Sequence, residues 1–273
     1  RAMTLPGWQE TRIYFRFWNA RTDHIKILGY ENATEEAIEA ARQYQKDLSE
    51  STFEEEPQRR KSRLAYFSRQ EGEALADLER WEEAIPPLRA AIASYDEILA
   101  VDPSRYYYQL QKLTTIGPLT LSELNTNRGE DAVASAAVGL ALARDLLATD
   151  ENDAGSRGYV ATKLEMQARA QVKFGDPGIG TSAIEEAIDM RRQLIIDFPD
   201  TASHNRDLAG TLIASGRVYQ DVGETDRACG DLNESLTILQ DLEGSETLTS
   251  FEKEVWMPTI RDLLQTYGCS APD

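Results

Sequence analysis

The sequence predicts an all-α solenoid of stacked antiparallel helix hairpins, on three observations. Apolar residues recur at steps of three and four, the chain matches itself at an offset of 48 residues, and no segment alternates with a period of two. The segments starting near Pro57, Pro103, Glu151 and Pro199 line up. One column of the alignment reads Ala84, Ala132, Gly180, Ala228; four residues on it reads Leu88, Ala136, Ile184, Leu232; three further it reads Ala91, Gly139, Ala187, Ser235. Twelve residues before the first, a column reads Gly72, Thr120, Ala168, Gly216, and another reads Leu78, Thr126, Phe174, Val222. Small residues meet small and large apolar residues meet large, with Thr120 and Thr126 the weakest entries.

Each unit divides into two helical halves. The second half is explicit in Leu88, Ala91, Ile92, Tyr95, Ile98, Leu99 and again in Ile184, Ala187, Ile188, Leu194, Ile195, where Arg191 breaks the apolar run. The first half repeats in Val160, Leu164, Ala168, Val172 and in Leu208, Leu212, Gly216, Tyr219. Short polar turns join the halves at Glu79-Arg80, Asn127-Arg128-Gly129, Gly175-Asp176-Pro177-Gly178 and Asp221-Val222-Gly223-Glu224. Asp102-Pro103-Ser104 and Phe198-Pro199-Asp200 separate units, with proline placed to open a helix, where its missing N–H is not needed. Helices of roughly 20 residues, each about 30 Å long, follow from this spacing. Gly117-Pro118 falls inside a helix and marks an expected kink; Pro86-Pro87, near a helix start, disturbs less.

The expected organisation is one repeat domain over residues 1–273, with units at about 5–53, 54–102, 103–150, 151–198 and 199–246 and a cap at 249–268. The first unit is degenerate: residues from about Trp8 to Leu28 form its first helix, and Thr34 to Ala41 lies in its second, with a capping signal at Asn32 and Thr34. Phe251 to Tyr267, carrying Val255, Trp256, Ile260, Leu263 and Leu264, is expected to cover the end of the array. Arg1, standing where Met opens a reading frame, leads to the expectation of a piece cut from a longer protein.

The columns resemble the tetratricopeptide repeat, whose pattern is W-x2-L-G-x2-Y in the first helix and A-x3-F in the second. Leu212, Ser215, Gly216 and Tyr219 occupy the first set, Ala228 and Leu232 the second; Gly72 with Ala84 and Ala168 with Gly180 keep the small pair in other units. The resemblance runs from about Thr34 to Leu242. It departs from the family in length, 48 residues against 34, so that about two turns are added to each helix, and most aromatic positions are aliphatic here. It implies a right-handed α-solenoid of about five hairpins, with a protein or peptide held on the concave face lined by first helices. Attachment to a bacterial kinase, cyclase or transcription regulator is implied by analogy only.

By the same matching, the groove-facing columns are Tyr66, Thr114, Thr162, Gly210; Arg69, Gly117, Glu165, Ile213; and Glu73, Leu121, Arg169, Arg217, with Arg59, Tyr107 and Gly155 one turn earlier. The candidate partner-binding residues are Tyr66, Arg69, Tyr107, Arg169 and Arg217, because arginine and tyrosine dominate binding hot spots and the guanidinium fork suits a carboxylate. The competing expectation is that these arginines are solvated or paired with neighbours such as Glu73 or Glu165. The Lys and Asn set with which some family members clamp a terminal carboxylate is missing from the corresponding columns.

Composition narrows the function classes. The 273 residues are 41% hydrophobic and 28% charged, a globular balance. Lys plus Arg is 29 against 47 Asp plus Glu, a net charge of −18, which argues against nucleic acid and against an anionic membrane surface. No apolar run approaches the ~20 residues of a membrane helix. Cys229 and Cys269 are expected as free thiols in a reducing, cytoplasmic setting. His24 and His204, 180 residues apart, form no metal motif, and neither H-E-x-x-H nor G-x-S-x-G occurs. Gly175-Asp-Pro-Gly-Ile-Gly180 is a turn between helices, and acid runs such as Glu54-Glu55-Glu56 are solvated faces. The expectation is therefore a binding scaffold without catalysis, cofactor or metal, its oligomeric state left open. The alternative is an α-helical enzyme or small-molecule sensor, marked by a deep pocket of titratable groups with shifted pKa values.

Overall fold

The computed structural model describes residues 16–25, 34–51 and 56–269, and among them no strand occurs. Residues 16–25 are helical (α1), followed by α2 (Thr34–Glu50), α3 (Pro57–Asp77), α4 (Trp81–Val101), α5 (Tyr106–Asn125), α6 (Gly129–Leu147), α7 (Ala154–Phe174), α8 (Pro177–Asp197), α9 (Ala202–Asp221), α10 (Thr225–Gly244) and α11 (Met257–Thr266), the last preceded by a π-helical turn at Glu252–Trp256. The chain forms two compact units, Arg1–Asn127 and Arg128–Asp273. Within each, helices pack against their neighbours in sequence, and alternate first helices also touch, α3 with α5 and α7 with α9.

The hairpins close through the small-residue columns. A Cβ on Gly72 of α3 would lie 2.5 Å from Leu88 Cγ of α4, and one on Gly216 of α9 would lie 2.7 Å from Leu232 Cγ of α10. These pairs are the same two columns three repeat units apart, so at one repeated register a large side chain on the second helix enters the gap left by glycine on the first. In α7–α8 the sizes reverse: Gly180 of α8 approaches Val172 Cγ2 at 2.5 Å and the Ala168 carbonyl at 2.9 Å, measured to the Cβ it lacks. Thr120 fits its small column because its fully buried hydroxyl donates back to the Ile116 carbonyl at 2.9 Å.

Turn chemistry sets the hairpin ends. Glu79 and Gly223, at corresponding positions, adopt the left-handed conformation with φ of 57° and 83°. The next N–H then reaches back, Arg80 to the Leu75 carbonyl at 2.9 Å and Glu224 to the Tyr219 carbonyl at 2.8 Å, satisfying the helix end. The third such turn is built differently: the Asp176 carboxylate accepts from Gly178 N–H at 2.8 Å and caps α8, with Pro177 in the first turn.

In the first unit the core runs from Trp18, Ile25, Ala41, Leu48 and Phe67 on α1–α3 to Ile38, Leu75, Leu88 and Leu119 on α2–α5. In the second, Ile213, Leu232, Leu239, Met257 and Ile260 join α9, α10 and α11.

Several expectations need correction or limits. Pro57 opens α3 as expected, but Pro103 and Pro199 stand three residues ahead of α5 and α9, in the turns. Asp102 explains the first: its carboxylate accepts from Ser104 N–H and Oγ at 3.2 and 2.7 Å, and the helix starts beyond that turn. α5 runs unbroken through Gly117-Pro118. Asn32 and the flanks of the expected first helix lie outside the described residues. Cys229 and Cys269 are not free thiols but are joined in a disulfide, Cα–Cα 5.5 Å, because packing of α11 on α10 brings residues 40 apart in sequence together. In the chain-entropy picture that closure contributes on the order of 3–4 kcal/mol to holding the C-terminal helix in place.

Gly72→Val drives two methyl groups into Leu88 and is expected to destabilise the protein by about 2–3 kcal/mol in urea denaturation. Gly230→Ala, at a mid-helix position where a Cβ would meet nothing within 4 Å, is expected to stabilise it by about 0.5–1 kcal/mol.

Candidate functional site

In the first unit, Tyr66 and Arg69 project from α3 and Tyr107 from α5, two first helices in contact. Arg69 is already engaged. Its Nε donates to Glu73 Oε1 at 2.7 Å and its Nη1 donates to Gln111 Oε1 of α5. Gln70 Nε2 completes the cluster on Glu73 Oε2 at 2.9 Å. Burial nevertheless keeps the Glu73 carboxyl above its ordinary pKa, with Arg69 opposing. Tyr66 is half-buried and its phenol is pushed up to about 12 by burial, while Tyr95 of α4 is raised for the same reason. Tyr107 is 58% exposed and packs edge-on against Tyr108. The expected Arg69–Glu73 pairing is thus present, and what this unit leaves open is the Tyr107 ring beside a satisfied polar cluster.

In the second unit, Arg169 on α7 and Arg217 on α9 line one cavity of ≈ 290 Å³. Glu165, Gly210 and Ile213, all from the groove-facing columns, line it too, so five positions separated by up to 52 residues share one surface. Arg169 is half-buried and Arg217 exposed. Neither makes an ion pair among the described residues. Burial and then the positive charge of Arg217 lower the Arg169 pKa, opposed by Glu165 and Asp221.

Glu165 does not pair with Arg169 because a stronger claim is made on it. Arg191 of α8, the residue that broke the apolar run, is buried at 6% exposure. It donates to Thr162 Oγ1 at 2.8 Å and to Asp207 Oδ2 at 3.1 Å, and lies 3.7 Å from Glu165 Oε1. Thr211 Oγ1 donates to the same Glu165 oxygen at 2.5 Å. This network ties α8 to α7 and α9 and holds Glu165 back from direct pairing with Arg169, which still feels the carboxylates of Glu165 and Asp221.

The remaining wall comes from the C-terminal segment: Val255, Trp256 and Thr259. Trp256 lies on Gly210, where a Cβ would sit 2.9 Å from its Cη2, and Phe251 meets it edge-on at 5.8 Å between centroids. Phe251 and Val255 are 57% and 44% exposed, so an apolar rim borders the arginines. From the sequence this segment is expected only as a cover for the end of the array. The available signal was Gly210 itself, the smallest entry in a column that otherwise holds Tyr66, Thr114 and Thr162.

The residues do not assemble a catalytic constellation in this pocket. Lys163 of α7 is the outstanding titratable group elsewhere: it is 4% exposed, and burial alone pushes its amine down to about 8. It does not line the arginine cavity.

No family model matches the sequence, and no curated protein matches it. Solved structures do match in fold. A putative kinesin light chain with nearly identical TPR-like repeats from Podosopora anserina superimposes with a TM-score of 0.51 at 17% identity, over 81% of this chain and 93% of that one. A point variant of that protein gives 0.54 at 17% identity, over 82% and 95%. The fold is therefore a TPR-like array of helical repeats, and no helix among the described residues is long and apolar enough to cross a membrane.

Lys163→Met is expected to stabilise the protein at pH 7. The folded pKa lies below the ordinary value of about 10.4, so the buried amine opposes folding at low pH and that penalty disappears as pH rises through 8 towards 10.4. Wild-type stability should rise across that window, and the variant's should lack that rise when both are measured by chemical denaturation.

Proposed function

We propose that this chain is a protein- or peptide-binding scaffold whose second unit receives an acidic group of the partner in the cavity between α7, α9 and the C-terminal segment. One observation carries the reading: two guanidiniums, Arg169 and Arg217, line one cavity close enough to repel each other, and neither makes an ion pair among the described residues of a chain of net charge −18. Several other arginines of the same unit are matched, among them Arg144 to Glu186, Arg157 to Asp197, Arg192 to Glu234 and Arg227 to Glu185. A carboxylate entering the cavity relieves the repulsion between the two cations and finds donors in fork geometry. Trp256, Val255 and Phe251 offer apolar surface to the residue beside it. Tyr66 and Tyr107 of the first unit are supporting contacts in this proposal, with Arg69 holding the surface in shape through Glu73 and Gln111 rather than meeting the partner.

The compartment belongs to the same proposal. The Cys229–Cys269 bond favours oxidising surroundings over the cytoplasm expected from cysteine count. Thiol titration of protein purified without reductant should find none of the two cysteines free; finding both free returns the chain to a reducing compartment.

Binding is tested on an array of synthetic peptides in which acidic residues adjoin apolar ones. Wild-type protein should retain a subset, and the double variant Arg169→Ala, Arg217→Ala should bind that subset at least about tenfold more weakly. Arg261→Ala, an exposed cation on α11, serves as the control and should match wild type. Identical profiles for the double variant and wild type contradict the site.

A further inference from the structure

The second unit contains one inter-hairpin hollow twice, once between α8, α9 and α10 and once between α6, α7 and α8. Positions 48 apart line both: Leu140 answers to Ile188 and Arg144 to Arg192. Each arginine forks onto a glutamate of the following second helix, Arg144 onto Glu186 at 2.8 and 2.9 Å, Arg192 onto Glu234 at 3.0 and 2.9 Å. The scaffolding of the two hollows is thus the same. Their filling is not.

In the α8–α10 copy the chain fills the space itself. Tyr219 buries its ring to 1% exposure and donates its hydroxyl to Glu185 at 3.1 Å. Arg227 stacks 4.0 Å from the centre of that ring and donates to the same carboxylate at 2.6 Å. A hollow of ≈ 270 Å³ is left. In the α6–α8 copy every member of that plug is absent from the sequence: Gln171 stands for Tyr219, Ala137 for Glu185 and Ile179 for Arg227. Gln171 does not enter the space, since its Oε1 accepts from Asp176 N–H at 2.9 Å in the turn. The hollow grows to ≈ 560 Å³, the size of a small-ligand pocket.

A second substitution leaves a polar atom stranded. Ser215 of the filled copy donates to Asp231 at 2.5 Å. Its counterpart Gln167 is 8% exposed and lines the open cavity, but the position of Asp231 is taken by Ala183, and Gln167 Oε1 is buried with no hydrogen-bond partner. Buried acceptors without donors are unfavourable, so a donor reaching Gln167 from within the cavity would offset that cost. The charged groups at the rim are already committed, Arg144 to Glu186 and Asp176 to the Gly178 N–H, so no free charge calls for an ion.

We propose that the cavity between α6, α7 and α8 binds a neutral aromatic ring bearing a hydrogen-bond donor, a phenol or an indole, which takes from outside the place that Tyr219 fills from within. Leu140, Leu164, Ala183 and the half-exposed Ile179 cover its faces, and the donor meets Gln167. The ring belongs either to a tyrosine or tryptophan of a partner protein or to a free small molecule; the recognition chemistry is common to both.

The test follows backbone amide shifts of the intact chain during titration with p-cresol, with toluene and with a blocked tyrosine-containing peptide. Saturable shifts clustered at Leu140, Gln167, Ile179 and Ala183 are expected with p-cresol, and binding of toluene about fivefold weaker, the effect of one hydrogen bond of about 1 kcal/mol. Gln171→Tyr, which supplies the ring internally, and Ala183→Leu, which fills the floor, should each abolish those shifts while retaining a cooperative melt. Tighter binding of the peptide than of p-cresol assigns the ring to a partner's side chain, and the reverse order assigns it to a small molecule; both outcomes support the cavity. Absence of clustered shifts with every probe, persistence of the shifts in both variants, or equal binding of toluene and p-cresol overturns the proposal. The arginine pair lies in a different cavity, so Arg169→Ala, Arg217→Ala should leave these shifts unchanged.

Discussion

The structure depends on how closely the two helices of a hairpin approach. At Gly72 and Gly216 there is no room for even one carbon, because Leu88 and Leu232 of the paired helix already occupy it. Dispersion and apolar burial act over the whole hairpin only when the backbones come this near. Where the first helix carries Ala168 in place of glycine, the second supplies Gly180, and the approach is preserved by exchanging which side gives way. The turn residues Glu79 and Gly223 set the register that brings these points of close approach into coincidence.

Repetition of this unit provides a frame against which deviations are informative. Conserving the hairpin leaves the groove-facing and inter-hairpin positions free to differ, and those are where the charges and cavities differ. Arg191 interrupts an apolar stripe, and by holding Glu165 and Asp207 it leaves Arg169 without a direct ion pair. Gln171, Ala137 and Ile179 interrupt a polar plug that the next copy retains. The C-terminal segment uses a third deviation, Gly210, to seat Trp256 beside two cations.

Periodicity showed which residues face a neighbouring helix, and self-alignment showed which of them are equivalent; these are local properties that the chain writes residue by residue. That is why Glu165, Arg169, Gly210, Ile213 and Arg217 emerged from columns and meet in one cavity. What did not emerge are contacts chosen between distant segments. Gln111, 42 residues from Arg69, takes up a guanidinium that column reasoning left for a partner. Trp256 reaches Gly210 across 46 residues, and Cys229 reaches Cys269 across 40, through docking of a helix whose own amphipathic pattern shows only that it is covered on one side. Prolines at unit boundaries were legible as punctuation, whereas their exact place depended on side-chain turns such as Asp102 with Ser104.

The most direct measurement of the close-approach constraint is a double-mutant cycle on Gly216 and Leu232, read by chemical denaturation. In the wild-type background Gly216→Ala should destabilise, because the new methyl meets Leu232 Cγ at 2.7 Å. With Leu232→Ala already in place, the same substitution should stabilise by about 1 kcal/mol, the ordinary helical preference of alanine over glycine. A change of equal sign and size in both backgrounds would contradict the account, since it would mean that the glycine is not there to admit the leucine.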